Sequence, residues 1–237
     1  QMLARPQGYV SACVHASSSG VVRAVEERAV PHPSGLSALC VVIDTDGEDR
    51  WAPLPAPITD WAQQEPAAIR QRVRESGIVG LGGAAFPSSV KLNPGPGAVV
   101  EELILNGVEC EPYISCDDRV MRERAEQVIG GLRIIRHALQ ARRCTIGVED
   151  NKPEAIQALR AAIDACGEGD VRVVAVPTRY PAGGEKQLIQ VLTGREVPAG
   201  GLPIQIGVVC HNVGTAAAVY QAVTRGRPLI SRVLTVT

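Results

Sequence analysis

Gly77 to Lys91 reads GIVGLGGAAFPSSVK and packs four glycines, a proline and the only phenylalanine of the chain into one short stretch. Glycine takes positive φ at low cost and lets backbone come close to a ligand. Successive N–H groups in such a loop can wrap phosphate or flank a flat ring. Gly80, Gly82, Gly83 and Ala84 are therefore candidate binding residues, with Phe86 as a stacking face and Lys91 as a compact cation. Gly80 to Ala85 formally fits the dinucleotide fingerprint G-x-G-x-x-A. Its surroundings do not: Glu65 to Ser76 before it read as helix rather than strand, and Phe86-Pro87 after it open no helix. A P-loop fails for want of Gly-Lys-Ser/Thr after the glycines. On this stretch alone a ligand-holding loop and a plain surface loop both stay open.

Three further segments carry residues of the same kind. Asn106 to Tyr113 (NGVECEPY) holds Asn106, Glu109 and Glu111; Arg179 to Lys186 (RYPAGGEK) holds Tyr180, Gly183, Gly184 and Glu185; His211 to Thr215 (HNVGT) holds Asn212, Val213 and Thr215. Glu109 and Glu111 also read as a solvated acidic turn, Asn212 as a helix N-cap, and Tyr113 and Tyr220 as packing residues.

Each of these segments follows a Val/Ile/Leu-rich run: Glu101–Leu105, Val171–Val176 and Ile206–Cys210. Around them the chain alternates. Glu65–Ser76 is expected to be helix, and Asn93–Gly97 a turn. A long helix capped by Asp117 or Asp118 should carry one stripe through Met121, Ala125, Val128, Leu132, Ile135 and Leu139. Thr145–Val148 reads as strand. Asn151 should cap a helix with Pro153 near its start and Ile156, Leu159 and Ile163 buried. Glu185–Leu192 and Gly214–Thr224 complete the helices. Such alternation predicts an α/β fold, a Rossmann-like parallel sheet with helices on both faces, whose ligands bind beyond the carboxyl ends of the strands. The two later segments open helices, whose free N–H groups favour anions.

Residues 1–57 read differently, as a β region and a proline-bearing linker. Short strands are expected at Tyr9–Cys13, Val21–Glu26 and Leu39–Asp44. His15 and His32 lack a second ligand at metal spacing, so no metal site is expected.

Composition narrows the function. With 237 residues and a formal charge of −1, the chain can bury a sizeable core and has no electrostatic footprint for nucleic acid. No apolar run nears the ~20 residues of a membrane helix. Seven cysteines without C-x-x-C spacing suit a reducing compartment and argue against an iron–sulfur cluster within this chain. The lysines are Lys91, Lys152 and Lys186 alone. The start at Gln1-Met2 reads as a cut fragment.

The glycine loop resembles the GxGGAGFPxxxK segment of the flavin-bearing subunit of respiratory complex I. It resembles more closely the RnfC family, a subunit of the Rnf ion-translocating NADH:ferredoxin oxidoreductase. NGVECEPY, YPAGGEKQLI, HNVGT and DDRVMRERAEQVIGGLRI extend that resemblance over some 140 residues. VSACVHASSSGVVRAVEE is similar to half of a barrel-sandwich unit, and with no lysine before Lys91 it carries no swinging arm. Leu81 and Ala85 depart from the pattern, which has Arg in complex I and usually Gly at these positions. If position 85 needs positive φ, alanine costs about 1 kcal/mol there.

The resemblance implies noncovalent FMN with NADH stacked on it in an FMN/NADH-binding domain at 58–228, and a β-grasp start at 229–237. Gly80, Gly82, Gly83 and Lys91 would shape the phosphate side. Asn106 would bond the flavin, Glu109 and Glu111 the nucleotide hydroxyls or the loop itself, and Phe86 and Tyr180 would stack. Glu185 would stand near the ring, and Asn212 and Thr215 would close the phosphate side. No side chain acts as acid or base, because hydride passes from nicotinamide C4 to flavin N5. The 4Fe-4S clusters would lie in a C-terminal part outside this chain. Partners would be other subunits of a membrane redox complex, at the cytoplasmic face of a bacterial inner membrane. A docking scaffold with a vestigial flavin site and a nucleotide-binding sensor are the alternatives.

Overall fold

The computed structural model describes residues 1–236, and Thr237 lies outside the described residues. Its centre is a four-stranded sheet of β5 (Glu102–Gly107), β6 (Arg143–Glu149), β7 (Val171–Val176) and β8 (Val208–Asn212), ordered β7-β6-β5-β8 and parallel throughout. The chain runs outward from β5 through β6 to β7, then returns to the far side of β5 as β8. The strand order therefore reverses between β5 and β8. Crevices at such reversals, beyond the carboxyl ends of the strands, are where open α/β sheets bind ligands.

Alternation along the strands divides the core. Leu103, Leu105, Cys144, Ile146, Val148 and Val209 face one side, under α1 (Pro66–Glu75), α3 (Cys116–Glu123), α4 (Ala125–Leu139), α5 (Pro153–Cys166) and α7 (Val213–Arg225). Ile104, Val176, Val208 and Cys210 face the other, under α6 (Glu185–Thr193). Helices thus cover both faces, as the alternation in sequence predicts. The short α2 (Ser88–Lys91) ends the glycine loop.

Close packing of α4 on α7 rests on two glycines. A Cβ at Gly131 would land on the Ala216 carbonyl, and one at Gly130 would meet the Tyr220 ring. Ala216 and Ala217 supply small residues on the facing helix.

Several local expectations are corrected. The single long helix is two, because Arg124 leaves helical geometry (φ −132°, ψ 30°) between α3 and α4. The apolar stripe still runs through the break, since Met121, Ala125, Val128, Leu132, Ile135 and Leu139 are all buried. Neither Asp117 nor Asp118 is the N-cap of α3; both lie in its first turn. The N-cap of α5 is Lys152 rather than Asn151, and Ile156 is only partly buried. Ile206 ends a 3-10 turn ahead of β8.

The N-terminal region consists of two antiparallel pairs, β1 (Met2–Ala4) with β2 (Val14–His15) and β3 (Gly20–Ala29) with β4 (Ser37–Thr45). No strand forms at Tyr9–Cys13, where Tyr9 and Val10 are exposed. Leu229–Val236 likewise form no strand. No helix among the described residues is long and apolar enough to cross a membrane.

Candidate functional site

The four segments meet at one rim of the sheet. Asn106 and Asn212 are register partners at the carboxyl ends of β5 and β8, directly beside the reversal in strand order. From there hydrogen bonds reach each loop.

Asn212 is the last residue of β8 and the N-cap of α7: its Oδ1 accepts from Gly214 N (2.9 Å) and Thr215 N (3.2 Å). Thr215 Oγ1 in turn accepts from Leu81 N at 2.9 Å, which fastens the glycine loop to the start of α7. The loop is closed at its base by Gly80 N donating to Phe86 O (2.8 Å) and Ser88 N to Ile78 O (3.0 Å). Gly82 passes close to Asn212, where an added Cβ would stand 3.3 Å from the Asn212 Cβ. Gly83 has φ 119° and open space on its side-chain position. Ala85 sits at φ 49°, so it does occupy the left-handed region that favours glycine.

On the other side, Asn106 Nδ2 donates to Gly183 O (2.8 Å) and Asn106 Oδ1 accepts from Val108 N (2.9 Å). Gly183 N donates to Cys110 Sγ, and a Cβ at Gly183 would land on the Val108 carbonyl. This close approach brings the Tyr180 loop against the end of β5. Gly184 precedes α6 without any side-chain cap, so the first-turn N–H groups of α6 remain open to a ligand. The start of α7 is already satisfied by Asn212, so of the two helix openings expected to attract anions only α6 is free.

Lys91 Nζ lies 2.6 Å from Glu185 Oε1 and donates to Cys210 O at 2.9 Å. It links the glycine loop to α6 and β8, with its charge shared by Glu185. Phe86, Tyr180 and Glu111 are exposed around the rim. Tyr113, expected as a packing residue, is also exposed. Val213 is fully buried and contributes to the core beneath α7.

Glu109 has a role that its spacing does not reveal. Its oxygens accept from Asp117 N (2.9 Å) and Asp118 N (3.2 Å), so it caps α3 from outside the helix and fixes the NGVECEPY turn. Asp117 accepts from Asn212 Nδ2 at 2.6 Å. Burial first, then the neighbouring Glu109, raises the Asp117 carboxyl to about 7, while the Asn212 bond opposes the shift. Burial and the Glu109 contact raise the Cys116 thiol to about 11. Donor atoms of Glu109, Cys116 and Asp117 lie within 4.8 Å of one another, but both Glu109 oxygens are engaged by backbone N–H groups. His211 is buried and held neutral: burial, then Lys91, lowers it to about 3. Sequence reasoning also missed Cys110 and Arg232, whose Nη2 donates to Leu81 O at 2.9 Å, and read Asp117 only as a helix cap; neither Cys110 nor Arg232 stands in a position that spacing alone marks.

Residues 73–221 match the Nuo51 FMN-binding domain. The chain belongs to that family. Residues 1–48 match the RnfC barrel sandwich hybrid domain. Curated relatives include the C subunit of the ion-translocating oxidoreductase complex of Pseudomonas aeruginosa, 54% identical over 99% of this chain and 30% of the relative. The corresponding subunit of Serratia proteamaculans is 50% identical over 94% of this chain and 31% of the relative. The chain thus spans about a third of the length of these relatives. Among solved structures, a chain of an NAD+-reducing [NiFe]-hydrogenase superposes with TM-score 0.58 at 24% identity, over 73% of this chain and 35% of that chain, a likeness of fold.

The rim fits the group for which the Nuo51 FMN-binding domain is named. Gly83 presents backbone to open space, the α6 N–H groups are uncapped, and Lys91 is paired with Glu185 in the first turn of α6. Two buried polar atoms on these elements, Ser88 Oγ and His211 Nε2, have no hydrogen-bond partner among the described residues. Unpaired buried polar atoms are uncommon in folded proteins and require a reason.

Proposed function

We propose that this chain is the NADH-oxidising flavin module of a membrane-associated electron-transport complex, with FMN held at the β5/β8 reversal. The observation that carries the reading is the meeting of all four glycine- or amide-bearing segments at that rim through the Asn106 and Asn212 bonds. Bound FMN supplies the redox chemistry, accepting hydride from NADH and releasing electrons singly to iron–sulfur clusters outside this chain.

The protein's own residues bind and orient. Gly80, Gly82, Gly83 and Ala84 give a backbone wall close enough for a flat ring. Lys91 and the open turn of α6 attract the phosphate, with Glu185 setting the lysine's position. Asn106 holds the Tyr180 loop at the distance a ring needs, and Phe86 and Tyr180 offer exposed faces for stacking. Asn212 and Thr215 fix the loop from the α7 side, with Val213 anchoring that turn in the core, and Glu109 and Glu111 form the acidic edge toward the nucleotide. The partners are other subunits of the complex, and the chain sits peripherally at the cytoplasmic face of the membrane.

Ala85 and the Lys91–Glu185 pair favour a second reading, a docking subunit whose flavin site is vestigial, since strain and a partly neutralised cation both weaken a cradle. The two separate in one experiment. FMN-loaded protein is mixed with NADH under anaerobic conditions and the flavin absorbance band is followed. Bleaching of bound flavin is expected; bound flavin that stays oxidised would leave the docking reading.

A further inference from the structure

A cleft of about 390 Å³ lies behind the glycine loop, with α7 on one side and residues 227–233 on the other. Leu81 and Gly214 line it at the start of α7, and Arg225 and Arg227 at the end. The stretch of α7 from Gly214 to Arg225 sets its length at about 16 Å. Arg124, Arg225, Arg227 and Arg232 all line the cleft, and all are exposed. Elsewhere arginines are matched by acids: Arg133 and Arg136 by Glu168 and Asp170, and Arg172 by Glu102. The four in the cleft make no such pair among the described residues. Asp117 is the one carboxylate that lines it among those residues, and Asn212 already engages it at 2.6 Å. In a chain of net charge −1 this is a local excess of cations.

The arginines fall into two groups. Arg232 reaches the Leu81 carbonyl at the start of α7. Arg225 and Arg227 stand at its end. Arg124 joins them, because α4 runs antiparallel to α7: Gly131 meets Ala216 and Gln127 meets Gln221, so the residues before Gln127 lie toward Arg225. Between the two groups each wall is apolar. Val120 follows Asp117 on α3, Ala217 follows Gly214 on α7, and Leu229 lies between Arg227 and Arg232. Trp51 closes the richer end, half-exposed, with the Arg227 guanidinium 5.3 Å from its ring centroid. Tryptophan and arginine are the residues that most often dominate partner recognition.

This layout selects an occupant. A single phosphate reaches one group of arginines only. A dinucleotide carries its charge at its middle, where the walls are apolar. An extended peptide covers the length in about five residues, and carboxylates at its two ends would meet both groups through the forked guanidinium. We infer that the cleft docks an extended acidic segment of a partner polypeptide, with carboxylates at both ends and apolar side chains between them. None of the four arginines belongs to the segments assigned to FMN, so the inference stands apart from the flavin reading.

The test is fluorescence anisotropy of a labelled synthetic peptide, with glutamates at both ends and leucines between, titrated with the full chain at about 50 mM and about 500 mM salt. Saturable binding is expected at low salt and should weaken about tenfold at high salt, while a peptide with lysines in place of the glutamates should not bind. Arg124→Gln and Arg225→Gln at one end, and Arg232→Gln at the other, should each weaken binding about threefold or more, with the thermal midpoint recorded alongside. Should Arg232→Gln not fold, removing the glutamates from either end of the peptide reads the same two contacts. Absence of saturable binding, equal binding of the lysine peptide, or unchanged affinity in the variants would overturn the inference. Losses confined to one end would overturn it too, as would displacement of the peptide by inorganic phosphate at matched ionic strength, because either result reduces the cleft to a simple anion site. FMN is not needed for any of these readings, so failure of the flavin module and failure here are distinguishable.

Discussion

Asn212 shows how much one amide can organise. A single side chain caps α7, holds Asp117 and, through Thr215, positions Leu81 of the glycine loop. Asp117 at the other end of that bond senses pH. It faces Glu109, Glu111 and Cys116 from its own turn and chain segment, and Arg232 from the C-terminal segment. Its carboxyl rises from the ordinary 3.8 to about 7 on folding. Between those values the folded chain keeps a proton that the unfolded chain has released, so stability falls as pH rises through the window and levels off above it. Asp117→Asn retains an oxygen for Asn212 and removes the titration. Urea unfolding at pH 5, 6, 7 and 8 should show a flatter profile for the variant; parallel profiles would show that Asp117 does not carry the shift. Lys91→Ala removes the cation and leaves Glu185 facing the ligand, so FMN affinity should fall about ten- to a hundredfold, and less in high salt. Unchanged affinity would remove Lys91 from the site.

At the scale of elements, what was legible in the sequence was periodicity. Val171–Val176 is strand as expected, and the expected Glu185–Leu192 helix extends one residue further, to Thr193. Alternation of strand and helix predicted the parallel sheet, and the rule of carboxyl ends led to its rim. The break at Arg124 was not legible, because the apolar stripe keeps its spacing across it and only the backbone of one arginine departs. Capping by Glu109 was hidden for a related reason: the expected cap lies next to the helix, whereas this one reaches from the end of β5. Tyr9–Cys13 has strand-like letters but no partner strand, and pairing is what makes a strand. Gly131→Ala forces Cβ onto the Ala216 carbonyl and should cost about 3 kcal/mol or force α4 and α7 apart. Denaturant unfolding would measure it, and a loss below about 0.5 kcal/mol would mean the helices are less tightly apposed than described.

For the molecule as a whole, the sheet divides the work. One face carries most of the core under five helices, the other a smaller core under α6, and the rim between them gathers the loops. Glycines and amides at strand ends mark the rim in the sequence. They did not reveal that Glu149 is buried there, because an acid at the end of a strand is ordinarily solvated and nothing local marks one that is not. Ala85 was readable as a departure, and the structure supplies its consequence, a left-handed alanine inside the loop. The most direct measurement is equilibrium titration of the chain with FMN, followed by quenching of flavin fluorescence. Saturable binding at one FMN per chain is the expected result. Fluorescence that stays that of free FMN at every ratio would contradict the claim that these four turns form a flavin cradle.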